Sequence, residues 1–95
     1  MSGAHDILTT AAKSIDDRAA ERDQAATGER SMTRTVAAFN ALTGHSISER
    51  DGWLFMGVLK FARATGGAHR LDDYIDAAAY AALAGECADV GARQA

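Results

Sequence analysis

The chain has 95 residues and a formal net charge of −3, with 10 Lys or Arg against 13 Asp or Glu. This length allows one small domain, which buries a modest core and commonly gains stability by self-association. The acidic balance excludes general nucleic-acid coating, which depends on clustered cations that neutralise phosphates. The single cysteine, Cys87, excludes an intramolecular disulfide, and the absence of a long apolar run or a signal-peptide layout predicts a cytoplasmic protein without a membrane segment.

Two helices are predicted in the first half of the chain, over about residues 5–25 and 29–43, with a break near Gly28. Apolar residues recur at the spacing of one helix face. In the first helix these residues are Leu8, Ala12, Ile15 and Ala19, and in the second they are Met32, Val36, Phe39 and Thr43. Arg18 and Arg22 flank the first stripe, and Gly44 is placed to end the second helix.

A third helix is predicted over about residues 48–65. Ser48 as N-cap and Asp51 three positions later nearly match a capping box, which satisfies backbone N–H groups at a helix start. This helix is apolar on two sides. The side interpreted as its core face carries Leu54, Val58, Phe61, Ala62 and Thr65. The second side carries Trp53, Met56, Lys60 and Arg63.

The second side of the third helix has three interpretations. Trp and Arg are enriched at the energetic centres of protein interfaces, so a contact with another subunit or a partner protein is favoured for Trp53, Met56, Lys60 and Arg63. Ordinary packing in the core of the chain and a ligand pocket are the alternatives. If the interface assignment holds, Trp53→Ala weakens association by roughly 2 kcal/mol or more.

The fourth helix is predicted over about residues 71–89, after the Gly66-Gly67 turn and before a frayed end. Its buried stripe is formed by Leu71, Ile75, Ala78 and Ala82. Helix geometry places Asp72 and Asp76 at the margin of this stripe and points Asp73 further outward.

The three aspartates of the fourth helix allow two interpretations. An ion-pair network with Lys60, Arg63, Arg18 or Arg22 is favoured, because an unpaired carboxylate at the edge of a core is costly. The alternative is half of a site for Mg²⁺, which prefers carboxylate oxygens. Arg30 and Arg34, one turn apart, lie on a solvated face or, in that alternative, bind phosphate.

Together these patterns predict an all-α, four-helix-bundle-like single domain over residues 1–95, assembled as a homodimer or larger oligomer. Three segments carry a family resemblance: "TVAAFNALTG", "GWLFMGVLKFARA" and "DDYIDAAAYAAL". From about Leu8 to Glu86 the chain resembles an uncharacterised family of small helical proteins encoded mostly by tailed phages and prophages. The resemblance implies a viral origin and an all-α fold, and it brings no assigned activity.

A more distant similarity is to the MazG-like nucleoside triphosphate pyrophosphohydrolases, all-α enzymes in which two acidic helix pairs hold Mg²⁺ beside the triphosphate. Asp73 and Asp76 match the second of these pairs, with Asp in place of Glu. The first pair has no counterpart in the second and third helices. The similarity therefore implies either a shared architecture or an enzyme that has lost part of its metal site.

The leading functional hypothesis is a phage-encoded helical protein that binds a host protein in the host cytoplasm and requires no cofactor. An inhibitor of host defence, of anti-CRISPR type, or of a host enzyme is the expected role. The alternative is a Mg²⁺-dependent, MazG-like pyrophosphohydrolase, or a non-catalytic nucleotide-binding relative. In that alternative Asp72, Asp73 and Asp76 ligate the metal, and Lys60, Arg63 or Arg34 neutralises phosphate.

Overall fold

The predicted all-α fold is confirmed by a computed structural model, which describes residues 3–21 and 31–94. Within those two ranges the chain forms four α-helices and no strand. They are α1 (Ala4–Glu21), α2 (Ser31–Thr43), α3 (Glu49–Gly66) and α4 (Leu71–Gln94).

The capping box at Ser48 and the helix stop at Gly44 lie where the sequence predicted them. The Ser48 side chain accepts a hydrogen bond from the backbone N–H of Asp51, and the Asp51 carboxylate accepts one from the N–H of Ser48, so α3 opens with a complete capping box. Gly44 follows α2 with a φ of +78° and donates its N–H to the carbonyl of Asn40. This left-handed backbone is the conformation that glycine adopts most easily, and it ends the helix.

Some predicted boundaries lie outside the described residues: the end of the first helix near 25, the break at Gly28 and the start of the second helix near 29. The end of the fourth helix was predicted too early. Helix α4 continues to Gln94, beyond the expected end near 89. The last segment has no proline and contains several alanines, the best helix former, so the helix continues through Gly91.

Helix α4 is the central element of the described structure. It packs against α3 along most of its length and against α1 on another side, whereas α2 contacts only α3 among the described helices. The core between α1 and α4 is built on Ala11, Ile75 and Ala79, with Ile7, Ile15, Leu71 and Ala78 packed around them. This core consists of small and medium-sized side chains, as expected for a chain with few aromatic residues.

Helix α4 has a second buried side that the periodicity analysis did not identify. Ala77, Tyr80 and Ala84 are buried there, whereas Ala82, which was expected in the buried stripe, is exposed. Two alanines beside Tyr80 allow a neighbouring helix to approach closely, and α3 occupies that position.

Helix α2 rests on α3 at a glycine. A Cβ atom built on Gly52 would lie 2.5 Å from the Met32 sulfur and 3.0 Å from Val36 Cγ2. The missing side chain is what lets these two buried residues of α2 reach the α3 backbone. No helix in the described part of the chain is long and apolar enough to span a membrane.

Candidate functional site

A partly buried ion pair links α3 to α4 at the edge of an open groove. Lys60 Nζ lies 2.9 Å from Asp76 Oδ2, and only 14% and 20% of the two side chains are exposed. Arg18, from α1, approaches the same carboxylate at 3.9 Å. The Asp76 carboxylate, on α4, thus has a cation from α3 and a cation from α1 beside it. Because Lys60 is the nearer of the two, it compensates most of the negative charge of Asp76.

An aromatic column continues from this charge cluster. Arg18 donates a hydrogen bond of 3.3 Å to the Tyr80 hydroxyl and lies over the Tyr80 ring, which stacks on Trp53 with ring centroids 5.7 Å apart. The hydrogen bond to Tyr80 raises the pKa of the Arg18 guanidinium above its usual value; burial works against this and nearby Asp76 supports it. Arg18 thus remains a cation that ties α1 to α4.

The four residues that the sequence assigned to an interface do not share one environment. Trp53, Met56 and Lys60 are half-buried on the side of α3 that faces α4, whereas Arg63 is exposed. The buried indole nitrogen of Trp53 has no hydrogen-bond partner among the described residues. Three of the four residues therefore pack inside their own chain, and their role toward a partner stays a prediction.

An open groove lies where α3 turns into α4. Its lining combines cations, carboxylates and the glycine turn, and consists of Lys60, Ala62, Arg63, Gly66, Gly67, Ala68, Arg70, Asp72, Asp73 and Asp76. Arg63 and Arg70 form no ion pair within the described part of the chain. The groove therefore offers two cations whose charge is not already neutralised, next to the Lys60–Asp76 pair.

The aspartates of this groove differ from the expected arrangement. Asp73 was predicted to point outward, but it is 7% exposed, whereas Asp72 is exposed. The prediction was wrong because α4 is covered on two sides, and Asp73 lies on the same side as buried Ala77 and Tyr80. Its carboxylate has no hydrogen-bond or ion-pair partner among the residues the structure describes.

Within residues 3–21 and 31–94, no group of three or more metal-ligating side chains converges. Of the possible phosphate-binding pair, Arg30 and Arg34, the structure describes only Arg34. Arg30 lies outside the described residues, together with Arg22, and Arg34 lies on an exposed part of α2 and does not line the groove.

The largest departure from expectation is on α3. The face predicted to be its core is exposed: Leu54, Val58 and Phe61 are 49%, 65% and 55% exposed, and Ala62 and Thr65 are exposed as well. Phe55, beside them, is 64% exposed. We call Leu54, Phe55, Val58, Phe61, Ala62 and Thr65 the outer face of α3.

The assignment of the two α3 faces was reversed because both are apolar and only tertiary contacts choose between them. The face that α4 covers contains Lys60, and its counter-ion, Asp76, lies on that side. It also contains Trp53, which stacks on Tyr80. The Lys60–Asp76 pair and the Trp53–Tyr80 stack thus make burial of the more polar face possible.

Comparison with known proteins identifies a domain but no activity. Residues 6–88 match the family described as a domain of unknown function, DUF6378. No curated protein and no solved structure matches the chain.

Proposed function

We propose that this chain, which belongs to the DUF6378 family of unknown function, is a small helical binding protein whose outer face of α3 engages another polypeptide. The observation that carries the proposal is the exposure of Leu54, Phe55, Val58 and Phe61 on one helix. Side chains of this kind are scattered singly on most surfaces, but a contiguous apolar patch marks an interaction site.

The size of this patch supports an interaction surface. Phe55, Val58 and Phe61 are each more than half exposed, and Leu54 nearly so. Since a whole aromatic side chain buries about 150–250 Å², the four residues together expose on the order of 400 Å². A patch of that size equals the largest apolar patch of a typical monomer, and such patches are often functional.

The charges of the interior support binding more than catalysis. Asp76, an acid that a metal-dependent mechanism would use, is already compensated by Lys60 at 2.9 Å and approached by Arg18. A carboxylate held in this way stabilises the contact between α3 and α4 and is less available to a metal ion.

The sequence resemblance supports a more specific role for the protein. The chain is of phage or prophage origin, acts in the host cytoplasm as a homo-oligomer, and contacts a host protein that it inhibits, such as a component of host defence or a host enzyme. The support for this role is the likeness of "GWLFMGVLKFARA" and its companion segments to phage-encoded helical proteins.

One observation favours a second function, a MazG-like Mg²⁺-dependent nucleotide pyrophosphohydrolase or a nucleotide-binding relative. Asp73 has little exposed surface and no partner among the described residues, and its carboxylate oxygens keep contact with solvent in a groove that also holds Arg63 and Arg70. A nucleotide phosphate would pair with the positive charges of Arg63 and Arg70, and its Mg²⁺ ion would pair with the negative charge of Asp73.

The two functions are separated by site-specific cross-linking. A photoreactive amino acid is placed at Phe61 on the outer face of α3, and in a control variant at Lys13, an exposed position on α1. We expect polypeptide adducts in bacterial cells from position 61 and few from position 13. Equal labelling from both positions would contradict the binding proposal.

Nucleotide hydrolysis is tested in parallel on the purified chain. Release of pyrophosphate from nucleoside triphosphates is measured with and without millimolar Mg²⁺, for the wild type and for Asp73→Asn. We expect no release above the background. Release that requires Mg²⁺ and disappears in Asp73→Asn would establish the second function in place of the first.

A further inference from the structure

The groove where α3 turns into α4 is lined by equal numbers of positive and negative side chains. Three are cations and three are anions: Lys60, Arg63, Arg70, Asp72, Asp73 and Asp76. Since their formal charges sum to zero, a ligand with a large net charge of either sign meets repulsion as well as attraction there. The groove has a volume of about 740 Å³, which lies within the usual range for small-molecule sites.

One carboxylate of this groove is left for a ligand. Asp76 is compensated by Lys60, and Asp72 is exposed to water. Asp73 is 7% exposed, and its side chain has no hydrogen-bond or ion-pair partner among the described residues. The exposed remainder of Asp73 includes its carboxylate oxygens, and because Asp73 lines the groove, these oxygens face the groove. A carboxylate that has lost most of its water is stabilised by a positively charged hydrogen-bond donor.

Two arginines of the groove supply the opposite charge. Arg63 lies in the last turn of α3, and Arg70 directly precedes α4. Both are exposed, and neither forms an ion pair within the described part of the chain. The planar guanidinium group binds a carboxylate through two parallel hydrogen bonds. The groove therefore offers sites for a carboxylate group and for a cationic donor side by side.

We infer that this groove binds an α-amino acid in its zwitterionic form, with the ligand carboxylate on Arg63 or Arg70 and the ligand ammonium on Asp73. A zwitterion has no net charge but carries both charges that the groove leaves uncompensated. This inference goes beyond the proposed function, because it does not depend on the four large apolar residues of the outer face of α3. It also gives the groove a different ligand from the nucleotide of the second function.

The covering of Asp73 selects the kind of cation. With 7% of the residue exposed, only a small group can approach the carboxylate. A primary ammonium is compact and has three N–H donors, whereas a trimethylated ammonium is larger and has none. A divalent metal ion is less well matched, because no group of three or more metal-ligating side chains converges within residues 3–21 and 31–94.

The rest of the groove does not select an amino-acid side chain. The uncharged lining residues are all small: Ala62, Gly66, Gly67 and Ala68. A Cβ atom built on Gly66 or Gly67 would meet nothing within 4 Å, so the space beside the turn is open. The side chain of a bound amino acid thus extends toward solvent, and we expect glycine and L-alanine to bind equally well.

The ligand class is tested by NMR titration of the isotope-labelled chain. Glycine should shift the amide signals of Gly66 and Gly67 and should reach saturation at millimolar concentration. Acetate, methylammonium and glycine betaine are matched controls, since they carry one charge alone or lack the N–H donors, and they should cause no saturable shift. A wild type that glycine does not saturate, or one that acetate or methylammonium shifts equally, would overturn the inference.

Substitutions test the two charged contacts. Asp73→Asn keeps the shape of the side chain and removes its charge, so glycine should bind about tenfold more weakly or worse. Arg63→Gln combined with Arg70→Gln should have a similar effect, and it changes only exposed positions if Asp73→Asn proves unstable. Asp17→Asn, at an exposed site on α1, is the control and should bind glycine like the wild type. Unchanged glycine binding by Asp73→Asn or by the double variant would refute the site.

A final comparison separates this inference from the functions proposed above. Saturable shifts of the same two glycine amides by ATP with Mg²⁺, but not by glycine, would assign the groove to the nucleotide and reject the amino acid. Cross-linking from position 61 reports on the outer face of α3 alone. Its failure would leave the amino-acid site standing, and loss of glycine binding would leave the polypeptide-binding proposal standing.

Discussion

Lys60 Nζ lies 2.9 Å from Asp76 Oδ2 between α3 and α4, and both side chains are largely removed from solvent. The pair ties the two helices that share the largest contact in the described fold. It also permits the burial of the α3 face that carries Lys60, because the ammonium group loses less by leaving water where a carboxylate compensates its charge.

Asp76→Asn tests the stabilising role of this ion pair. The amide keeps the shape of the carboxylate but leaves the Lys60 ammonium buried without compensation, so we expect a loss of about 1–3 kcal/mol in the free energy of unfolding. Urea denaturation followed by circular dichroism measures this change. The matched control is Asp17→Asn, which breaks the exposed pair with Lys13 and should cost less than about 0.5 kcal/mol. Equal losses in the two variants would contradict the prediction.

The glycines of α3 give a second prediction. Gly52→Ala gains helix propensity but drives a methyl group into Met32 and Val36, so we expect a net loss of about 1 kcal/mol or more. Gly57→Ala meets nothing within 4 Å and should stabilise the helix by about 0.5–1 kcal/mol. Thermal melts of both variants measure whether the two substitutions change stability in opposite directions. If Gly52→Ala stabilises the protein, α2 does not pack on α3 as described.

The capping box of α3 gives a third prediction. Ser48→Ala removes the acceptor of the Asp51 N–H and should destabilise the protein by about 1 kcal/mol. Ser46→Ala, two residues earlier and outside any helix, should be close to neutral. Urea titrations of the two variants make the comparison, and a neutral Ser48→Ala would argue against the cap.

The same cap predicts a pH dependence. The hydrogen bond from the Ser48 backbone, followed by that from Arg50, holds the pKa of Asp51 below its usual value. A lowered folded-state pKa stabilises the protein fully above the unfolded-state pKa, about 3.9 for Asp, and that stabilisation is lost as the pH falls through the folded-state pKa. The stability advantage of the wild type over Asp51→Asn should therefore shrink below about pH 4, as denaturation at pH 7 and pH 3 can show. If the stability advantage of the wild type over Asp51→Asn instead grows as the pH falls, the prediction is contradicted.

The two faces of α3 give a fifth prediction. Trp53→Ala removes the ring that stacks on Tyr80 within the chain and, since Trp53 is half-buried, should lower the free energy of unfolding by about 2–3 kcal/mol, less than for a fully buried ring. Val58→Lys, on the outer face, should leave unfolding of the monomer nearly unchanged when melts are compared at a dilution where both chains are monomeric. If Trp53→Ala instead weakens only association, by roughly 2 kcal/mol or more, the original interface assignment of Trp53 is correct.

The sequence by itself determined the helices and most of their ends. The capping box at Ser48, the stop at Gly44 and the end of α3 at Gly66 depend on residues close together in the chain, so local patterns predict them. Tertiary structure alone decided which side of α3 is buried, whereas Met32 and Val36 on α2 and Ile75 on α4 lie in stripes that the sequence predicted. Both faces of α3 are apolar, and Tyr80 and Asp76 on α4 select the one with Trp53 and Lys60. The burial of Asp73 also depends on tertiary contacts. Helices pack against two sides of α4, so more of the α4 surface is covered than its one apolar stripe predicts.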